Sequence, residues 1–303
     1  MKRTADYLNE AANSMENCYK MSEEELSKLK GILLKMYLDV KKVCDENNIP
    51  VMLSGGTCIG AVRHHGFIPW DEDIDLMMLR EDYNRFIELM ESELPNEYDF
   101  SYPRSGHESI GLMLKIIKRP KQGREMNVAA NGGQIILDIF PIERVSDNRF
   151  VRRLKFWYLD ALRIFVLSSN GLRGHNNKLI DYQTKVLKAS LSGRIHYSLR
   201  RILGRIVDCI GRQRLIDYYD KLASNSSGNT FRTINTGRGM SQKECLPSNV
   251  FFPPCKAEFE GIDSLIPNDA DKYLSNLYGN YMQIPPPEKR ERHFFSTIDL
   301  SLY

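Results

Sequence analysis

Apolar and polar positions recur along the chain with two different periods, and these periods predict a mixture of helices and strands. Ser22 and Glu25 have the spacing of a helix capping box, and apolar residues follow at helical spacing to about Asn47. Short apolar runs predict strands at 51–54, 70–79, 110–119 and 132–143. A surface helix is predicted over 80–94. The first half of the chain therefore predicts an α+β core.

The second half is helical at first and mixed at its end. Helical spacing dominates from Arg149 to about Leu222, and two strand patterns and a helix over 269–279 follow. We therefore predict three units. Residues 1–148 hold the N-terminal helix and the core, residues 149–228 form a basic helical insertion, and residues 229–303 pack back on the core.

Composition narrows the class of protein. The 303 residues are 42% hydrophobic and 27% charged, enough for a large core and unlike a disordered chain. Six scattered cysteines form no CxxC pair, which argues against a zinc ribbon. The chain contains neither a signal-peptide pattern nor an apolar run of roughly 18 residues, so we expect a cytoplasmic protein.

The net charge of +3 hides a strong asymmetry. Residues 151–222 contain fifteen Lys and Arg against five Asp and Glu. We expect either a helical subdomain whose cations face solvent, or a peripheral contact with an anionic membrane surface on the inner leaflet; no nucleic-acid partner is expected. The interfacial pattern consists of Arg200, Arg201, Arg205, Arg212 and Arg214 interleaved with Ile202, Leu203, Ile206, Val207 and Ile210.

The segment 52–80 carries the candidate chemistry. A short strand ends at Gly55 and Gly56, and a helix is predicted from about Thr57. Strand, glycine turn and helix N-terminus in this order present backbone N–H groups to a phosphate. Arg63 offers a bidentate fork for the same ligand.

Three aspartates suggest a metal. The alternation of residues 70–79 places Asp73 and Asp75 on one polar face of a strand, and Asp138 stands alone in an apolar strand, where it needs a cation or another partner. Carboxylates are hard oxygen ligands for Mg²⁺, with Mn²⁺ as a substitute, and such ions hold phosphates for transfer.

Other interpretations of these residues are weaker. Asp71, Asp73 and Asp75 have the 1, 3, 5 spacing of an EF-hand loop, but Leu76 stands where that loop needs glycine. The aspartates could also be ordinary solvated carboxylates. His64 and His65 are adjacent and are favoured as satisfied or surface imidazoles rather than metal ligands.

The segment GGTCIGAVRHHGFIPWDEDIDLMM resembles the signature of the LicD family, which includes the fukutin-type proteins and has a nucleotidyltransferase fold. The resemblance continues through LDIFPIE around Asp138 and through the C-terminal Phe-Glu-Gly, Tyr-Leu, Tyr-Gly, Pro-Pro, Arg and His pattern. It implies a nucleotidyltransferase-like mixed β-sheet with flanking helices.

The resemblance also implies an activity and roles for residues. Phosphocholine, or ribitol or glycerol phosphate, would pass from CDP-choline, CDP-ribitol or CDP-glycerol to a hydroxyl of a glycan, lipid-linked glycan, lipopolysaccharide, capsule or teichoic acid precursor, with release of CMP. Asp73 and Asp75 would hold Mg²⁺, and Asp138 would complete the metal site or accept the proton of the acceptor. The residues expected near the donor phosphates are Gly55, Gly56, Thr57, Arg63, Lys115, Arg290 and His293.

Two alternative functions and the identity of the transferred alcohol stay open from the sequence. A glycosyltransferase that uses its DxD for a nucleotide sugar, or a non-catalytic nucleotide-binding member of the fold, would share part of the pattern. The choice of alcohol is also open, since choline favours an aromatic cage. Candidates for that cage are Trp70, Tyr102, Trp157 and Tyr281.

Overall fold

The structure is a computed structural model that describes residues 21–104, 109–121, 134–169, 191–233, 244–287, 290 and 300–303. The side chains of residues 191–197 and 200 are not part of this description. His293 and the loop predicted between the strands at 110–119 and 132–143 lie outside the described residues.

Helices surround the core and form the middle of the chain. They are α1 Glu23–Glu46, α2 Gly55–His64, α3 Arg80–Glu93, α4 Arg149–Leu167, α5 Leu191–Ile210, α6 Arg212–Ser224, α7 Ser248–Phe251 and α8 Ala270–Tyr278. The predicted capping box at the start of α1 is confirmed, since Ser22 Oγ accepts from the Glu25 N–H at 3.2 Å and the Glu25 carboxylate accepts from the Ser22 N–H at 2.8 Å. No helix among the described residues has the length and apolar character needed to cross a membrane.

The strands belong to a mixed sheet. They are β1 Met52–Leu53, β2 Asp75–Leu79, β3 Tyr98–Ser101, β4 Leu114–Lys118, β5 Ile136–Val145, β6 Thr230–Arg232, β7 Cys245–Pro247, β8 Cys255–Phe259 and β9 Ile262–Ile266. The main order is β3-β4-β5-β2-β1-β9-β8, and β6 and β7 extend from the end of β5. Pairs β2/β5 and β1/β9 are parallel and the others are antiparallel. The predicted α+β, nucleotidyltransferase-like mixed sheet is confirmed.

The strand predicted over 70–79 is shorter and more buried than its alternation suggested. β2 begins at Asp75, so Asp73 precedes it, and Met77 on the supposed polar face is 0% exposed. The cause is its central place, since β2 lies between β5 and β1 and helices α2 and α3 pack on it. The prediction of one polar face along this strand is therefore wrong beyond Asp75.

The C-terminal segment completes the same sheet. Strands β8 and β9 form a hairpin whose two-residue turn, Glu260 and Gly261, has positive φ values of 52° and 75°. β9 then pairs in parallel with β1, at Met52 opposite Leu265. The predicted unit boundaries remain predictions.

The helical middle is attached to the core by buried polar contacts. Arg212, predicted as part of an interfacial face, is 7% exposed and donates to the carbonyl oxygens of Ser109 and Ile110. Val207 is likewise 0% exposed. The interfacial assignment of these two residues is wrong, because both side chains are used to attach the helices to one another and to the core.

Candidate active site

A row of polar residues crosses three neighbouring strands. Asp75 on β2 is opposite Asp138 on β5, and Asp138 is opposite Lys115 on β4. Residues in register on adjacent strands project to the same face, with Cβ atoms about 4.5–5.5 Å apart. The fold therefore brings Asp75, Asp138 and Lys115 together on three neighbouring strands.

Asp138 has the cation that its apolar strand required. The Lys115 Nζ lies 2.6 Å from Asp138 Oδ1 and 2.8 Å from Oδ2, and the two side chains are 17% and 25% exposed. Partial burial of such a pair makes it less screened than a surface pair. Lys115, which we expected near the donor phosphates, forms an ion pair with Asp138. It would therefore lie beside any ligand that the Asp138 carboxylate binds.

Helix α2 starts beside Asp75. It begins at Gly55, two residues before the prediction, and the Gly55 N–H donates to the Tyr273 hydroxyl at 3.3 Å. The Cys58 N–H donates to the Ser54 carbonyl at 3.0 Å. The N–H groups of Gly56 and Thr57 therefore belong to the first turn of α2. N–H groups in the first turn have no carbonyl acceptor within the helix, and they lie at its positive end.

Thr57 supports Asp75 directly. Thr57 is 4% exposed, and its hydroxyl accepts from the Asp75 N–H at 2.9 Å, while the Ser54 N–H donates to the Asp75 carbonyl at 2.9 Å. The Thr57 side chain thus fixes the backbone of the aspartate, and the contact of Thr57 with a donor phosphate remains a prediction.

Tyr278 is a site residue that the sequence analysis did not select. A methyl group added at Gly55, whose φ is +50°, would lie 3.1 Å from the Tyr278 hydroxyl and 3.5 Å from Asp75 Oδ2. The C-terminal Tyr-Gly motif therefore brings a phenol to the start of α2. That motif was the available signal, but nothing local indicated where its ring would lie.

Three charged residues that are distant in sequence, Lys30, Arg290 and Glu260, contact the signature loop, residues 65–74. Lys30 Nζ donates to the carbonyls of Ile68 and Pro69 at 3.1 and 2.9 Å. Arg290 lies over the Trp70 ring with its Cζ 4.0 Å from the centroid, so the tail contacts this loop. The expected contact of Arg290 with the donor phosphates remains a prediction.

The Phe-Glu-Gly motif holds the start of the same loop. Glu260 Oε1 accepts from the Phe67 N–H at 2.9 Å, and the Glu260 N–H donates to the His65 carbonyl at 2.9 Å. Gly60 and Gly66 allow this approach, because a methyl group at Gly60 would lie 2.4 Å from the Gly66 carbonyl oxygen.

Gly60→Ala is expected to destabilise the protein by about 1–3 kcal/mol, because a backbone atom cannot move aside as a flexible side chain can. The free energy of unfolding from urea titration measures this. Gly31→Ala is the matched control, since a methyl group there meets nothing within 4 Å and alanine favours the helix. Equal stability of Gly60→Ala and wild type would contradict the close contact.

Arg63 lies at the far end of α2 from Gly56, about 10 Å along the helix. Its Nε donates to His64 Nε2 at 2.9 Å and its Nη1 donates to the Tyr281 carbonyl. Burial, with Arg63 and Lys30 nearby, lowers the pKa of His64, so the imidazole is neutral and accepts at neutral pH. Arg63 fastens the tail to α2, and its contact with donor phosphate remains a prediction.

Four candidate carboxylates are not equivalent in position, since only Asp71 and Asp75 are shown beside the helix start. Asp71, Asp73, Asp75 and Asp138 are partly buried, and a methyl group at Gly56 would lie 3.1 Å from Asp71 Oδ2. Within the described residues, no group of three His, Cys, Asp or Glu side chains is arranged to hold a metal ion alone. Asp75 and Asp138 are the pair that the register places side by side.

This mixed sheet, with Asp75 and Asp138 in register and Asp75 beside the start of a glycine-led helix, has the architecture of a nucleotidyltransferase-like fold. Residues 48–158 match the family described as LicD/FKTN/FKRP, nucleotidyltransferase domain, a segment that includes Asp75, Lys115 and Asp138. Tyr278 and Arg290 lie outside it.

Curated relatives agree with this match. The chain is 27% identical over 262 residues to the lipopolysaccharide cholinephosphotransferase LicD of Haemophilus influenzae, covering 83% of this chain and 89% of the relative. It is also 33% identical over 73 residues to an uncharacterised protein of Rickettsia prowazekii, or 24% of this chain and 27% of that protein. Together these matches support a phosphotransferase of the LicD type.

Proposed function

We propose that this protein transfers phosphocholine from CDP-choline to a hydroxyl of a cell-surface glycan, lipopolysaccharide being the first acceptor to test, with release of CMP. The observation that carries the proposal is the register of Lys115, Asp138 and Asp75 beside the start of α2. The name of the Haemophilus relative supports phosphocholine as the transferred group. Ribitol and glycerol phosphate are the competing donors to be tested.

Magnesium suits the donor set. Asp75 and Asp138 supply carboxylate oxygens from adjacent strands, and Mg²⁺ is usually held by one or two carboxylates together with substrate phosphates and water. Asp73, just before β2, is the third candidate ligand. When bound, the ion would neutralise charge on the phosphates and align the attacking oxygen.

The chain's own groups perform the remaining tasks. The N–H groups of Gly56 and Thr57 bind the donor phosphate that points to α2. Lys115, 2.6 Å from Asp138, neutralises phosphate charge next to that carboxylate, and Tyr278 closes the site on the Gly55 side. The acceptor hydroxyl is positioned on the open side of this row for in-line attack on the phosphorus.

The aromatic candidates for choline are reduced by the structure. The Tyr102 hydroxyl is tied to Glu91 at 2.9 Å, and Trp157 is 70% exposed on α4. Trp70 precedes Asp71 in the signature loop, and its ring already holds a cation, the Arg290 guanidinium, 4.0 Å from its centroid. The Tyr281 hydroxyl is bound to Asp271 at 3.0 Å, as that of Tyr102 is to Glu91, but the Tyr281 backbone is joined to α2 through Arg63. We propose Trp70 and Tyr281 as the rings to test for recognition of the quaternary ammonium.

The purified protein is expected to release CMP from CDP-choline in the presence of lipopolysaccharide, and more slowly from CDP-ribitol and CDP-glycerol. UDP-glucose should yield no UDP. Chelation with EDTA should lower the rate by at least about a hundredfold, with recovery on adding excess MgCl₂ or MnCl₂. The measurement is chromatography of the released nucleotides.

The controls separate the parts of this proposal. Turnover that EDTA leaves unchanged would refute the metal while leaving the donor assignment intact. Release of UDP from UDP-glucose would instead support the glycosyltransferase alternative. No nucleotide release from any donor would support a non-catalytic role.

A further inference from the structure

Helix α4 is apolar on two opposite faces. Its inner face is buried and consists of Phe156, Leu159, Leu162 and Val166. Its outer face carries Phe150, Leu154, Trp157 and Ile164, which are 76%, 60%, 70% and 60% exposed. A surface helix ordinarily has one apolar stripe that faces the core, so the outer stripe has no function in folding.

The exposed residues of α4 form a continuous line. Their spacing of four, three and seven residues follows the helical repeat, and the line from Phe150 to Ile164 extends about 21 Å. Isolated exposed apolar residues are common on proteins, but a line of this length is typical of an interaction surface.

Helix α5, which packs against α4, repeats the pattern. Leu199, Ile202, Ile206 and Ile210 are 54%, 55%, 43% and 44% exposed, at spacings of three, four and four residues. Two neighbouring helices therefore each expose an apolar stripe. We call these eight residues the outer stripes.

Exposed arginines accompany the outer stripes. Arg153 and Arg205 are exposed and directly precede Leu154 and Ile206. The sequence 151–222 as a whole carries a net charge of about +10 against about −7 for the remainder. Basic side chains beside exposed apolar residues match the headgroup and acyl layers of an anionic bilayer. Trp157 is the residue type enriched at that interface.

We infer that the outer stripes of α4 and α5, with Arg153 and Arg205, dock the protein on an anionic phospholipid bilayer. This surface differs from the one that the arginine pattern indicated, because α4 supplies the aromatic residues and Arg212 and Val207 are excluded by burial. The inference does not depend on the donor or on catalysis.

Flotation with two kinds of vesicle tests the inference. The wild-type chain should float with vesicles of equal parts phosphatidylglycerol and phosphatidylcholine, and not with phosphatidylcholine alone. Leu154→Gln with Trp157→Gln should weaken the affinity by at least about tenfold, since each side chain loses apolar burial. Arg153→Gln with Arg205→Gln should weaken it by about tenfold or more.

Matched controls keep the result specific. Leu38→Gln with Met282→Gln removes two apolar residues that are 42% and 53% exposed outside the helical middle, and this variant should float like wild type. Asp75→Asn should also float, which separates docking from the proposed activity. Unchanged thermal melting of the Leu154/Trp157 variant shows that it is folded.

Several results would overturn the inference. These are equal recovery of wild type with neutral and anionic vesicles, absence from both, or flotation of the Leu154/Trp157 variant at wild-type level. Self-association that this variant abolishes, without any vesicle binding, would assign the outer stripes to a second copy of the chain instead.

Discussion

Asp75→Asn is expected to lower kcat for phosphocholine transfer by about a thousandfold or more. The fold fixes the backbone of Asp75, since its N–H and carbonyl are bonded to Thr57 and Ser54, and its register partner is Asp138. Losing a carboxylate that binds the cation removes several kcal/mol of transition-state stabilisation. Asparagine is nearly isosteric, so the thermal melting temperature should stay close to that of wild type.

Asp263→Asn is the matched control for this change. Asp263 lies on β9, its side chain is 80% exposed, and its partner Lys256 is 77% exposed. An exposed ion pair of this kind contributes little, and the kcat should remain that of wild type. Wild-type activity of Asp75→Asn would contradict the assignment of the site, whereas loss of activity in both variants would show that the assay lacks specificity.

Glu143→Gln is expected to destabilise the fold by about 3 kcal/mol, the largest effect on stability that we predict. Glu143 is 1% exposed and accepts from Arg80 Nε at 3.0 and 3.1 Å, while Arg80 also lies 3.0 Å from Asp220 on α6. Burial lowers the pKa of Arg80, but the Glu143 carboxylate more than offsets this and raises it. Neutralising Glu143 leaves a buried guanidinium with only partial compensation.

Glu81→Gln is the matched comparison, because Glu81 follows Arg80 in the sequence and its partner Arg144 follows Glu143. Glu81 pairs with Arg144 at 3.3 Å, and these side chains are 59% and 39% exposed. Solvent screens this pair, so Glu81→Gln should lower the free energy of unfolding by no more than about 1 kcal/mol. Urea unfolding of both variants measures the difference. Arg80, Glu143 and Asp220 link helix α6 of the helical middle to the sheet. Equal stability of the two variants would contradict a stabilising role for this link.

Local signals were sufficient for much of the fold. The capping box at Ser22, the helix over 80–94 and the strands that became β4 and β5 all followed from residues close in sequence. Asp138 in an apolar strand required a cation, and Lys115 supplies it. These features were predictable because apolar periodicity, a helix cap and the cost of an unpaired buried charge can each be recognised within a short segment of sequence.

The parts that could not be predicted depend on contacts between distant segments. Gly55 begins α2 because Tyr273, 218 residues away, accepts its N–H. The central place of β2 buries Met77, and Glu260 reaches back to Phe67. Family motifs indicated Arg290, and Tyr278 lies in a motif without being selected, but only the fold shows what each one contacts.

The most direct test of the central claim is the fate of the choline-bearing phosphorus atom of CDP-choline, followed by ³¹P NMR with the wild-type protein, MgCl₂ and lipopolysaccharide. We predict loss of the diphosphate resonances, gain of CMP, and gain of an equal amount of a phosphodiester that purifies with the lipopolysaccharide. Phosphocholine free in solution, or no change in the diphosphate under conditions where the protein is folded, would contradict the account.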